Sequence, residues 1–203
     1  MKLLELFSGT GSVGKVARTL GWEVISLDLK DADININILD WDYKQFEPKY
    51  FDFIWASPPC THFSNSKRFG TRDLELADSI VQRCLEIIDY YQCAYVLENP
   101  YSGLLRHRPY MISRPYHRVD YCAYQPELGM KKSTVLFTNL IEFEPKLCPG
   151  RGKCPGMDGA SHRCTATGNY FPWKSKKQRS RELARVPANL IRSILTYTSI
   201  MAR

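Results

Sequence analysis

The stretch Leu3-Leu4-Glu5-Leu6-Phe7-Ser8-Gly9-Thr10-Gly11-Ser12-Val13-Gly14 decides the fold. Its apolar run over 3–7 predicts a buried strand, its glycines a tight loop, and the residues from about 12 to 20 a helix. Gly9, Gly11 and Gly14 fit G-x-G-x-x-G in the strand–loop–helix context that this pattern requires. Glycines there let a ligand approach the backbone, and the helix N-terminus offers free N–H groups. Asp28 closes the next predicted strand, Val24-Ile25-Ser26-Leu27-Asp28, where a carboxylate can accept from ribose hydroxyls. The pattern points to a nucleoside cofactor without separating a nicotinamide cofactor from S-adenosylmethionine.

Further along the chain, Phe53 to Ala56 and Ala94-Tyr95-Val96-Leu97 read as strands, and Val119 to Tyr124 and Val135 to Thr138 as two more. Leu76, Ile80, Cys84, Ile87 and Ile88 have helical spacing, which predicts a helix from Leu74 to about Tyr91. Strands alternating with helices argue for an α/β protein with a doubly wound parallel sheet. No internal repeat or low-complexity tract interrupts it. From about 145 to 175, glycine, proline, cysteine and basic residues replace the periodic apolar positions, which reads as an irregular insertion rather than sheet. A closing helix beginning near Val186-Pro187 carries Leu190, Ile191, Ile194 and Leu195.

The 203 residues suit one domain with a sizeable core and a small appendage. With 44% hydrophobic and 24% charged residues, the composition is that of an ordinary globular protein. No apolar run is long enough to span a bilayer, so no membrane partner is expected. The first residues read as a core strand, not a signal peptide, and a cytoplasmic or nucleoid/nuclear location is expected. The charge of +7 favours a polyanionic partner. Seven cysteines, an odd number, argue for reduced thiols or a metal site over a disulfide framework.

Two strand ends carry further chemistry. Ser57-Pro58-Pro59-Cys60-Thr61-His62-Phe63-Ser64 follows the strand 53–56, and its prolines stiffen the turn that aims the thiol. Glu98-Asn99-Pro100 ends the strand begun at Ala94. In an open α/β sheet, ligands sit beyond the carboxyl ends of the strands. A thiol and a partly buried carboxyl converging there supply a nucleophile and a proton donor.

The set Leu6-Phe7-Ser8-Gly9-Thr10-Gly11, then Pro59-Cys60 with Phe63-Ser64, then Glu98-Asn99, resembles motifs I, IV and VI of the C5-cytosine methyltransferase family in order and spacing. The resemblance covers roughly 1–140 and resumes in the closing helix, in a compact form like phage and viral members. It implies a class I S-adenosylmethionine-dependent methyltransferase fold, Rossmann-like, with a small irregular insertion. It also implies methylation of cytosine C5 in DNA: Cys60 adds to C6, Glu98 protonates N3, and Asn99 holds the Pro59-Cys60 turn. Phe7, Ser8, Gly9, Thr10, Gly11, Asp28, Leu29, Asp40, Trp41 and Pro58 would surround the cofactor, with Trp41 or Trp22 stacking on adenine or lying in the core. A base inside a duplex is out of reach, so the target would be flipped out.

The chain departs from the family pattern in several places. Thr61-His62 follows the cysteine where glutamine is common; His62 is close enough to assist Cys60, though a polar loop histidine is the preferred reading. The late arginine pair is missing, and Lys132 and Thr134 fall in its place, Lys132 able to present a charge but not a fork. Residues 1–144 and 182–203 would form the catalytic domain, leaving only 145–181 as a minimal target-recognition insertion. Arg185-Val186-Pro187-Ala188-Asn189-Leu190 resembles the final motif without its usual glycine-asparagine.

Within the insertion, Cys148, Cys154, His162 and Cys164 form C-x5-C-x7-H-x-C, four soft ligands able to close a zinc site, with reduced loop cysteines as the alternative. Cys84, Cys93 and Cys122 read as core. Lys174, Lys176, Lys177, Arg179, Arg181 and Arg185 lie beside Tyr170, Phe171 and Trp173, a pairing of phosphate-neutralising cations with rings that stack on bases. Lys67, Arg68 and Arg72 form a second cluster after the cysteine loop. The same chemistry on RNA (tRNA) is the nearest alternative, since no residue here reports on a 2′-hydroxyl. A non-catalytic nucleic-acid or cofactor-binding module would leave Cys60 and Glu98 idle, as would an oxidoreductase.

Overall fold

The computed structural model describes residues 1–65, 71–165 and 182–202. A seven-stranded sheet forms its centre, with strand order β3-β2-β1-β4-β5-β8-β6. Here β1 is Lys2–Leu6, β2 Glu23–Asp28, β3 Ile34–Asn35, β4 Phe53–Ala56, β5 Ala94–Pro100, β6 Tyr116–Asp120 and β8 Ser133–Thr138, with the two-residue β7 (Met130–Lys131) outside this sheet. Strands β1 to β5 pair with one another in parallel. The expectation of an all-parallel sheet fails at the far edge, where β8 runs antiparallel to both β5 and β6. Only one short 3-10 turn and β7 separate β6 from β8, and a parallel return would need a long crossover.

Helix α1 (Ser12–Thr19) and the closing helix α3 (Ala188–Met201) share one face of the sheet, and α2 (Leu74–Tyr91) covers the other. Alternation along β5 shows the division. Val96 packs with Leu3, Phe53, Trp55, Val13, Ile191 and Leu195 on the α1/α3 face, whereas Leu97 packs with Leu4, Ile54, Val81 and Ile88 on the α2 face. Both layers are apolar, which is why the central strands read as nearly continuous hydrophobic runs. Among the described residues, no helix is long and apolar enough to cross a membrane.

Two expectations are corrected here. The strand expected over Val119 to Tyr124 lies earlier, at Tyr116–Asp120, and the chain then turns through a 3-10 segment at Tyr121–Ala123. This strand is the sheet edge, and Tyr116 and Arg118 face solvent, so its first half lacks an apolar signal. The described part of the insertion is not wholly irregular. Met157–Asp158 (β9) and Ser161–His162 (β10) form a small antiparallel pair, and Cys164–Thr165 (β11) joins β7 in parallel.

Candidate active site

Three loops meet beyond the carboxyl ends of β1, β4 and β5, around the point where strand order reverses between β1 and β4. The first is the glycine loop. Phe7 and Ser8 amides donate to Leu27 O at 2.8 and 3.2 Å, tying the loop to β2. Gly9 and Gly11 take φ of 48° and 64°, a left-handed backbone that costs glycine little. Asp28 Oδ2 accepts from the Gly9 amide at 2.9 Å, and its Oδ1 from the Leu29 amide at 2.7 Å. Each oxygen keeps a lone pair for a ribose hydroxyl. Beside it, Leu29 is 71% exposed, an apolar ledge on an otherwise polar rim. A cleft of ≈ 540 Å³ opens along the loop, lined by Ser8, Gly9, Thr10, Gly11, Lys15 and Asp33 among others; Cys60 and Glu98 lie outside it.

Beneath this loop lies Glu5, which the sequence reading passed over. It is 3% exposed, and its Oε2 accepts from the Gly14 amide at 2.9 Å. Burial pushes its pKa up to about 7, against the pull of the Gly14 and Val13 amides and the charges of Arg18 and Lys15. A Cβ at Gly14 would sit 2.5 Å from Glu5 Oε2, so this third glycine is required by close packing rather than by a turn. An acid inside the apolar run 3–7 was the available signal.

The second loop carries Cys60. Asn99 Nδ2 donates to Pro58 O at 3.2 Å, the backbone hold expected of it. Phe63 is fully buried, its amide donates to Cys60 O at 3.1 Å, and Leu104 N donates to Phe63 O at 2.8 Å. Gly103 lets these segments meet, since a Cβ there would lie 3.1 Å from Pro100 O and 3.3 Å from Phe63 O. His62 Nδ1 accepts from the Asp73 amide at 2.7 Å, in keeping with the structural reading of this histidine. Arg72 Nη1 donates to His62 O at 3.0 Å, so its guanidinium is tied in part to the loop.

The third loop carries the acid. Glu98 is 7% exposed and faces the α1/α3 side, opposite to Asn99. Its Oε1 accepts from Tyr121 Oη at 2.9 Å and lies 3.5 Å from Lys132 Nζ. Lys132 also donates to Leu183 O at 2.9 Å and sits 4.6 Å from the Tyr121 ring centroid. Burial pushes the Cys60 thiol up, the Glu98 carboxylate adds to that, and Lys132 partly offsets it. Thiol, carboxylate and ammonium are thus within electrostatic reach of one another. Tyr121 was missed because nothing in its spacing marks it, and Thr134, the second arginine replacement, is fully buried.

Other candidates divide. Asp40 is exposed beyond β3. Trp41, expected among the cofactor residues, is 4% exposed, in the α2-side core with Tyr43 at 6.5 Å; Trp22 packs edge-on to Phe53 at 6.2 Å. Neither has a free ring face for adenine. Of the four expected metal ligands, Cys164 is corrected: it is buried in the α1/α3-side core, and Cys122 joins Cys148, Cys154 and His162 instead. Lys67, Arg68, Lys174, Lys176, Lys177, Arg179 and Arg181, with Tyr170, Phe171 and Trp173, lie outside the described residues.

A glycine loop at β1 and a sheet whose reversed strand inserts beside β5 define a class I S-adenosylmethionine-dependent methyltransferase fold. The Entamoeba histolytica methyltransferase EhMeth shares this fold, with a TM-score of 0.63 and 12% identity over 100% of this chain and 99% of its own. A frog virus 3 (isolate Goorha) protein named "Probable DNA (cytosine-5)-methyltransferase" is 40% identical over 173 residues, 78% of this chain and 79% of the relative. The chain belongs to the DNA (cytosine-5)-methyltransferase family. No protein-family model matches it.

Proposed function

We propose that this protein methylates C5 of cytosine in duplex DNA through a transient bond between Cys60 and C6 of a flipped-out base. The observation that carries the proposal is the meeting of Cys60, held by Asn99 through Pro58, with Glu98, held by Tyr121 and Lys132, at adjacent strand ends. The 40% identity to the frog virus relative points to DNA as the substrate.

The glycine loop Phe7 to Gly11, Asp28, Leu29, Asp40 and Pro58 would hold S-adenosylmethionine: loop amides and Asp28 for its polar groups, Leu29 as an apolar ledge. Bound there, the cofactor supplies the electrophilic methyl group. The protein makes C5 a nucleophile. Burial and the Glu98 carboxylate push the Cys60 thiol up, and as the base binds the thiol proton passes to Glu98, leaving the thiolate. Sulfur adds to C6 while Glu98 delivers a proton to N3, and the ring becomes an enamine with electron density at C5. After methyl transfer, solvent takes the C5 proton, Cys60 leaves as the thiolate and the N3 proton returns to Glu98, which restores the aromatic ring. Residues 145–181, Arg72 and the lysines and arginines of 67–68 and 174–179 would grip the DNA.

Incubation with isotope-labelled S-adenosylmethionine and either mixed-sequence duplex DNA or bulk tRNA tests this reading. Label enters DNA with the unaltered protein and not with Cys60→Ala. Label in tRNA alone, or in DNA with Cys60→Ala, overturns it.

A further inference from the structure

Cys122, Cys148, Cys154 and His162 come from three separate stretches of chain, yet their ligand atoms all lie within 4.8 Å of one another. Cys148 Sγ and His162 Nε2 are 3.3 Å apart, and the Cys122 thiol is within hydrogen-bonding reach of both Cys148 and Cys154. Around a tetrahedral zinc with three sulfurs and one nitrogen, neighbouring ligand atoms sit about 3.5–3.8 Å apart. The 3.3 Å Cys148–His162 separation and the 4.8 Å outer bound bracket that spacing. Buried core cysteines would pack against apolar side chains instead, as Cys84 and Cys164 do.

The surroundings are those of a built site. The segment Cys148 to Cys154 folds back on itself, with Gly150 and Gly152 at φ of 91° and 73° and the Cys154 amide donating to Gly150 O at 3.0 Å. The Cys148 amide donates to Asp120 Oδ2 at 3.0 Å, fixing this ligand to the end of β6. Gly156 passes so close that a Cβ would lie 2.9 Å from Gly129 Cα and 3.3 Å from Cys122 Cβ. A segment this short cannot bury a core of its own, and a metal supplies what a core would.

We propose that the protein holds one structural zinc ion at Cys122, Cys148, Cys154 and His162, which fastens the insertion to the catalytic domain. Four protein ligands leave no open position, so the ion does no chemistry on substrate. Binding converts the three thiols to thiolates and releases their protons to solvent. The staple attaches one residue after Tyr121, the partner of Glu98, so the metal that orders the insertion also fixes the turn from which the catalytic acid is held.

Metal analysis of the full chain, purified from zinc-supplemented cells and dialysed against a weak chelator, tests the proposal without reading methyl transfer. One zinc per chain is expected. Cys148→Ser and Cys122→Ser lose it, while Cys164→Ser keeps it in full, which separates the spatial ligand set from the one the sequence spacing suggests. Stripped unaltered protein refilled with cobalt shows the visible absorption of a tetrahedral thiolate site, so the test survives a variant that fails to fold. Absence of stoichiometric metal together with no cobalt spectrum overturns the proposal. So does loss of zinc in Cys164→Ser with retention in Cys122→Ser, or a thiol titration showing a disulfide among the three cysteines.

Discussion

Tyr121 donates its phenolic hydrogen to Glu98 Oε1 at 2.9 Å, from the turn that follows the edge strand β6. Both groups are buried, so this bond sets where the carboxyl points without competition from water. Tyr121→Phe keeps the ring and removes the donor. A buried hydrogen bond to a charged group contributes about 1.5–3 kcal/mol, so a fall in kcat of about tenfold or more is expected. Equilibrium binding of S-adenosylmethionine should stay unchanged; a loss of binding with kcat intact would show that Tyr121 acts elsewhere.

Lys132 is the positive charge that offsets the upward push on Cys60. Lys132→Met removes it, so the thiol loses its proton at higher pH than in the unaltered protein. The ascending limb of the kcat/KM profile should move to higher pH, with activity near neutrality reduced by about tenfold for each unit of movement. An unmoved limb would mean that Lys132 does not act on the thiol.

Glu5 makes stability depend on pH. Its folded pKa of about 7 stands above the ordinary value of 4.5, so the folded chain holds this proton after the unfolded chain has released it. The stabilising contribution is present below about 4.5 and is lost as pH rises through about 7. The loss is on the order of 3 kcal/mol. Glu5→Gln keeps an oxygen for the Gly14 amide and removes the titration. Denaturant midpoints measured between about pH 5 and 8 should fall more steeply for the unaltered protein than for the variant; parallel slopes would refute the assignment.

Asn99 holds Pro58 through one hydrogen bond from a side chain that is 1% exposed. Asn99→Ala releases the turn that aims Cys60 and leaves the Pro58 carbonyl unpaired, at about 1–3 kcal/mol. Methyl transfer should fall by about 10- to 100-fold, while the rate of Cys60 alkylation by a small thiol reagent rises as the loop loosens. Unchanged alkylation alongside unchanged turnover would remove Asn99 from this role.

Much of the site was legible because its parts are local. Each depends on a strand end followed by a special turn: Gly9 and Gly11 need left-handed backbone, Pro58 and Pro59 stiffen the cysteine loop, and Pro100 closes the strand that carries Glu98. Such signals are written in consecutive residues. Trp41 shows the opposite case. An aromatic beside an acid can stack on a ligand or fill a core, and only the packing of Tyr43 and the α2-side layer puts it in the core.

The sequence by itself determined the alternation of strand and helix, the glycine loop, and a cysteine and a glutamate at strand ends, since periodicity and turn chemistry act over a few residues. The tertiary structure alone decided which distant groups meet. It brought Tyr121 and Lys132 to Glu98, reversed β8 beside β5, and exchanged Cys164 for Cys122 in the cysteine–histidine cluster. The reason is physical: side-chain partners across strands follow from sheet order and register, and a shift of one residue turns each side chain to the other face.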